Sequence, residues 1–204
     1  MAEPVALPVQ LRAHRLAHAA LRLAGWRVRF NGLPAKQGVI IVYPHTSNWD
    51  FIVGIVAKWA VGIRVTFWGK DSLFEVPLFG RWLRWLRWLG GVAVDRASPT
   101  GIVGQMVSEI AAARAQGRFL WLALSPEGTR GYREVWRSGF YHLALQAQVP
   151  VGLASLDYAR REVALEHFVM LTGDVKADLA EVQSRLPTPV GKRPALAAPI
   201  RFEK

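Results

Sequence analysis

His45 and Asp50 stand four residues apart in the run Tyr43-Pro44-His45-Thr46-Ser47-Asn48-Trp49-Asp50-Phe51. An imidazole and a carboxylate are enough for general-base chemistry. A carboxylate on Nδ1–H fixes the tautomer and leaves Nε2 to take a proton. The intervening residues make one tight turn, so the Asp50 side chain can fold back onto the ring. Asp50 could also cap a helix starting at Phe51, and the two roles are compatible. The run follows Gly38-Val39-Ile40-Ile41-Val42, an apolar stretch that reads as a buried strand. The pair therefore lies just past a strand end.

A second chemistry-bearing run is Ser125-Pro126-Glu127-Gly128-Thr129-Arg130, which follows the apolar stretch Phe119-Leu120-Trp121-Leu122-Ala123-Leu124. Gly128 permits close backbone approach to a ligand. Thr129 offers a hydroxyl, and Arg130 offers a bidentate fork for phosphate. Glu127 could position a substrate hydroxyl or hold an arginine. A third run, Gly90-Gly91-Val92-Ala93-Val94-Asp95-Arg96, carries Arg96 past a short strand as a second phosphate ligand. Lys70, after Gly69, closes another strand and adds basic lining. The fourth is Val149-Pro150-Val151, which opens a strand. Other chemistries lack their signatures. There is no G-x-S-x-G elbow, no phosphate-binding P-loop and no G-x-G-x-x-G. His14, His18, His45, His142 and His167 show no zinc-hydrolase spacing, so no metal site is expected.

The elements that must position these residues alternate. Strands are expected over 27–30, 39–42, 64–67, 92–94, 119–124, 151–156 and 163–171. Helices are expected over 9–23, 51–61, 78–89, 101–115, 139–146 and 177–185. Such alternation predicts a single α/β domain with a mixed, largely parallel central sheet flanked by helices, plus an N-terminal amphipathic helix. Ligands gather at the carboxyl ends of strands in such sheets, and both His45 and Glu127 follow one. The tail 187–204 reads as a basic, Pro-rich surface segment with a short final strand.

The chain's 204 residues, 51% of them hydrophobic, suffice for one domain with a real core. The absence of cysteine excludes disulfides, thiolate metal sites and a cysteine nucleophile. A net charge of +11 implies an acidic partner. The run Arg81-Trp82-Leu83-Arg84-Trp85-Leu86-Arg87-Trp88-Leu89 places its arginines within about a third of a helix circumference and Trp and Leu around the rest. That pattern suits either a headgroup layer or a core helix with one wet edge. The N-terminal helix carries Arg12, His14, Arg15, His18 and Arg22 among Leu, Val and Ala, and could likewise lie on lipid or pack on the domain. No stretch reaches the ~18 apolar residues that span a bilayer, and no secretory signal is evident. Basic residues mixed with Trp/Leu faces, and the lack of any nucleic-acid motif, favour an anionic membrane surface over nucleic acid as partner.

Together the four runs resemble the glycerolipid acyltransferase family that includes lysophosphatidate (1-acylglycerol-3-phosphate) acyltransferases. That family shows, in this order, a histidine and aspartate at this spacing, a Gly-rich strand ending in Arg, Glu-Gly-Thr-Arg, and a Val-Pro-Val strand. The resemblance covers residues 36–157 and departs from the family at Pro44, Gly131 and Gly152-Leu153. It implies that His45 is the general base deprotonating an acceptor hydroxyl and that Asp50 orients it. It implies that Arg96, Glu127, Gly128, Thr129 and Arg130 bind the glycerol phosphate end, and that the Val149-Pro150-Val151 strand helps form the acyl-donor site. The reaction implied moves a fatty acyl group from an acyl-CoA or acyl-carrier-protein thioester to a lysophospholipid-like acceptor. It needs no cofactor, metal or acyl-enzyme. Acyl carrier protein is then a candidate partner. The expected division is an N-terminal amphipathic segment 1–30 that could associate with a membrane and an acyltransferase domain 31–204. The expected location is cytoplasmic, peripheral or monotopic at the inner face of the membrane. Another lyso-lipid or alcohol acceptor, and a non-catalytic membrane binder on the same fold, are the alternatives.

Overall fold

A computed structural model describes residues 14–69, 91–93, 101–186 and 188–202. The expected helix 78–89, Lys70 and Arg96 lie outside the described residues. The chain runs α1 (Arg15–Leu23), β1 (Arg27–Phe30), β2 (Gln37–Tyr43), α2 (Asn48–Val61), β3 (Thr66–Gly69), β4 (Gly91–Ala93), α3 (Gly101–Ala115), β5 (Leu120–Leu124), α4 (Gly139–Ala147), β6 (Val151–Asp157), β7 (Glu162–Val169) and α5 (Val175–Arg185).

The strands form one sheet in the order β1-β7-β6-β2-β5-β3-β4. Every neighbouring pair is parallel except β6 and β7. The exception has a simple cause. The turn between β6 and β7 is too short for a crossover helix, and only an antiparallel return fits it. α2 follows β2, α3 precedes β5, and α4 joins β5 to β6, as parallel connections require. The expected mixed, largely parallel α/β sheet is thus the observed one.

β2 is the central strand, parallel to β5 on one side and β6 on the other. Helices cover both faces, so its sequence is continuously apolar rather than alternating. Period-two geometry still divides it. Val39, Ile41 and Tyr43 pack with Ile110 of α3 and Phe140 and Leu143 of α4. Ile40 faces the other way, with Leu33 and Trp121. On that side Ala17 and Leu21 of α1, together with Trp26, join Val53, Ala57 and Ala60 of α2 and Leu156 of β6. The described part of the segment 1–30 therefore packs into the same core, with β1 as an edge strand of the same sheet.

One region differs from the sequence-based expectation. Residues 188–202 contain no strand, only the 3-10 turn Pro194–Leu196, and Ala198 is fully buried. The Val149-Pro150-Val151 run lies at the amino end of β6, where Pro150 C=O accepts from Val39 N–H. As expected it opens a strand, and Val149 and Val151 belong to the core, at the end of the sheet opposite His45.

Gly38 faces Trp121 across the β2–β5 ladder, and a Cβ there would overlap the indole ring. The ring is fully buried and its Nε1–H donates to Ala35 C=O, so it has nowhere to go. Gly38→Val should cost about 1–3 kcal/mol of stability through overpacking, measured by urea unfolding. A midpoint equal to that of the unsubstituted protein would show that the indole is not confined.

Candidate active site

Because β2, β5 and β6 are parallel neighbours, their carboxyl ends share one edge of the sheet. His45 follows the first, Glu127 the second and Tyr158 the third. The sequence places α2 immediately after β2, with Ser47 as its N-cap. The Ser47 hydroxyl accepts from Trp49 N–H at 3.3 Å, and Asp50 completes a capping box by accepting from Ser47 N–H at 2.7 Å. The helix thus starts earlier than Phe51, and Ser47 rather than Asp50 is its cap.

Asp50 is 2% exposed. Its Oδ2 accepts from Thr46 N–H at 2.6 Å as well as from Ser47. His45 Nδ1 lies 3.4 Å from the same oxygen. Oδ1 accepts from the Tyr158 hydroxyl at 2.7 Å. Burial acts to raise the Asp50 pKa, but the contacts from His45, Tyr158 and Ser47 outweigh it and hold the carboxyl below its ordinary value. Burial and its bond to Asp50 push the Tyr158 phenol well up, so Tyr158 stays a donor. Among the described residues no hydrogen bond occupies His45 Nε2, and the side chain is partly exposed. One ring nitrogen is held and the other can act.

Glu127 is placed differently from a substrate ligand. It is 1% exposed, and both oxygens are taken by backbone. Oε2 accepts from His45 N–H at 2.5 Å and Oε1 from Ala198 N–H at 2.9 Å. Burial raises its pKa, and the two amides offset this only in part. Its work is to fix the main chain of His45. Gly128 adopts φ +64, where a side chain would be strained and a Cβ would meet Arg137. Thr129 Oγ1 accepts from Gly131 N–H. Arg130 reaches an open pocket of about 200 Å³, lined with Thr46, Ser47, Asn48, Trp49 and Arg193. The structure therefore gathers His45, Asp50, Glu127 and Arg130 at one edge.

Tyr158 and Arg193 were not singled out from the sequence. Tyr158 had a signal, since it follows the third parallel strand directly. Arg193 had none, because nothing local says where a Pro-rich tail will lie. Among the described residues no group of three or more His, Asp or Glu could hold a metal ion.

Fold and strand-end site together have the build of an α/β transferase. The chain belongs to the Acyltransferase family, whose sequence model matches residues 27–152, more than half of it. The fold is similar to that of the 1-acyl-sn-glycerophosphate (LPA) acyltransferase PlsC from Thermotoga maritima, with a TM-score of 0.51. The two are 17% identical over 84% of this chain and 74% of that one, a likeness of fold. No curated protein sequence matches the chain significantly.

The shift at Asp50 fixes a pH dependence. With the folded pKa below the unfolded one, ionised Asp50 stabilises the fold above the unfolded value, about 3.9. That contribution is lost as pH falls through the folded value. Glu127, shifted upward, acts in the opposite sense. Asp50→Asn should therefore flatten the fall in stability as pH drops below about 4, followed by urea unfolding at each pH. An unchanged slope would refute the role given to Asp50.

Proposed function

We propose that the protein transfers a fatty acyl group from an acyl-CoA or acyl-carrier-protein thioester to the hydroxyl of a lysophospholipid-like acceptor. The default reaction converts 1-acylglycerol 3-phosphate to phosphatidic acid. The observation that carries this reading is His45 Nδ1 3.4 Å from the buried Asp50 carboxylate, at a strand edge beside the pocket that Arg130 lines.

His45 Nε2 takes the acceptor's hydroxyl proton as that oxygen attacks the thioester carbonyl. The tetrahedral oxyanion then collapses and the C–S bond breaks. The proton held on His45 passes to the departing thiolate. A thioester is already activated, so a positioned base suffices and no enzyme nucleophile is required. Asp50 holds the ring and steadies the transient imidazolium. Arg130 offers a charge-assisted fork to the acceptor phosphate. Arg96 is proposed as a further phosphate ligand on the sequence resemblance, and Lys70 as basic lining on its place after a strand.

We place the protein on the cytoplasmic face of an anionic membrane. α1 supports this by burying Ala17 and Leu21 while leaving Leu16 and Leu23 exposed beside Arg15 and Arg22. Trp49 and Ile52, 54% and 48% exposed, extend an apolar surface next to the pocket. Among the described residues no helix is long and apolar enough to cross a membrane. The segment 1–30 would then contribute to docking as well as to the core.

A positioned base is worth roughly 10²–10⁴-fold. His45→Ala should accordingly lower kcat by at least about 10²-fold with little change in unfolding midpoint, read by mass-spectrometric detection of diacyl product from mixed lysophospholipids. Turnover within threefold of the unsubstituted enzyme would remove His45 as the base. Tyr158→Phe deletes one donor to Asp50 and should lower kcat several-fold while leaving the acceptor KM alone. A change confined to KM would mean that Tyr158 touches substrate instead.

A further inference from the structure

Residues 188–202 form a strap across the carboxyl edge of the sheet. Tyr158 N–H donates to Val190 C=O at 2.8 Å. Arg193 N–H donates to Thr46 Oγ1 at 3.1 Å. Ala198 is clamped from two sides, its N–H on Glu127 and its C=O accepting from the Tyr43 hydroxyl at 2.8 Å. Gly191 lies so close that a Cβ would come within 2.9 Å of Thr46 Oγ1 and 3.0 Å of Pro44 Cγ. Lys192 Nζ sits 4.7 Å from the Trp49 ring centroid, in cation–π range.

These ties fix the backbone of Arg193, which lines the pocket together with Arg130. Its side chain is exposed, and among the described residues neither arginine forms an ion pair. Among the described residues, the pocket's lining holds two guanidinium groups, hydroxyl and amide groups and an indole, but no carboxylate. Two unneutralised cations facing one opening beside a base describe an anion site. Their number bears on which anion. A phosphate monoester carries about −1.5 to −2 near neutral pH, whereas a phosphodiester carries a single charge. A second guanidinium therefore gains more from a monoester, with its extra charge and third free oxygen, than from a diester.

We infer that Arg193, delivered by the C-terminal strap, completes the acceptor phosphate site with Arg130 and selects phosphate monoesters over phosphodiesters. The assignment rests on the acyltransferase reading above. Arg193 binds through its side chain, and its backbone N–H keeps the strap in place whatever the side chain is.

The test is steady-state acyl transfer by the full chain to 1-acylglycerol 3-phosphate, a monoester, and to lysophosphatidylglycerol, a diester, with whichever thioester supports turnover. Losing one charge-assisted contact, Arg193→Ala should raise the monoester KM about tenfold. The diester and donor KM values should change less than twofold and kcat less than threefold. The inhibition constant of glycerol 3-phosphate should rise by the same factor as the monoester KM, and Arg193→Lys should recover part of the loss. A thermal midpoint measured alongside separates lost contact from a loosened strap. A monoester KM within twofold in Arg193→Ala, or an equal loss for both acceptors, overturns the assignment and leaves the acyltransferase reading standing. No transfer to any acceptor by the unsubstituted protein overturns both.

Discussion

The Asp50 carboxylate is the point on which the site's geometry depends. A buried carboxylate is tolerable only when donors surround it, and here two amides and a phenol do so, with an imidazole nitrogen close by. Each donor belongs to a different structural task. The amides shape the turn after β2 and start α2, the imidazole is the candidate base, and the phenol comes from the end of β6. Capping a helix and orienting a histidine are therefore one set of bonds. A shift of the turn would therefore carry the Asp50 carboxylate, and with it the orientation of the base.

Glu127 complements this from the neighbouring strand. Asp50 governs the His45 side chain, and Glu127 governs its main chain. Their pKa values move in opposite directions for a clear reason. Asp50 is met by enough donors to overcome its burial, whereas two amides and the nearby imidazole do not overcome the burial of Glu127, to which the Asp50 charge adds. Holding a catalytic group by both backbone and side chain is what preorganisation needs, because small errors in placement are costly in rate. The parallel register of β2, β5 and β6 makes this possible by bringing three loop origins to one edge.

Much of this was legible in the sequence, and the parts that were not share a cause. The strands and helices follow periodicity closely, and β1 and α3 have the same bounds as expected. The His45/Asp50 pair was readable because both partners lie in one turn. Glu127 was readable as a site residue but not in its contacts, because its partners are backbone amides far along the chain. Its acidity suggested a ligand role, and a sequence does not show that both oxygens are already taken. Tyr158 was missed because its partner is far from it in sequence. The tail was misread as having a strand because its apolar residues, Ala198 and Ile200 among them, match an alternating pattern. Trp136, Phe140 and Tyr141 draw that segment into the core instead.

The clamping of Ala198 has a consequence for how the protein is made. Synthesis runs from the amino terminus, so Tyr43, His45 and Glu127 leave the ribosome well before residue 198. Until Ala198 arrives, one Glu127 oxygen and the Tyr43 hydroxyl lack the partners that their buried positions require. Competence of the site thus waits on the strap, and a nascent chain stalled short of residue 198 would carry an unfinished centre however far the sheet had formed.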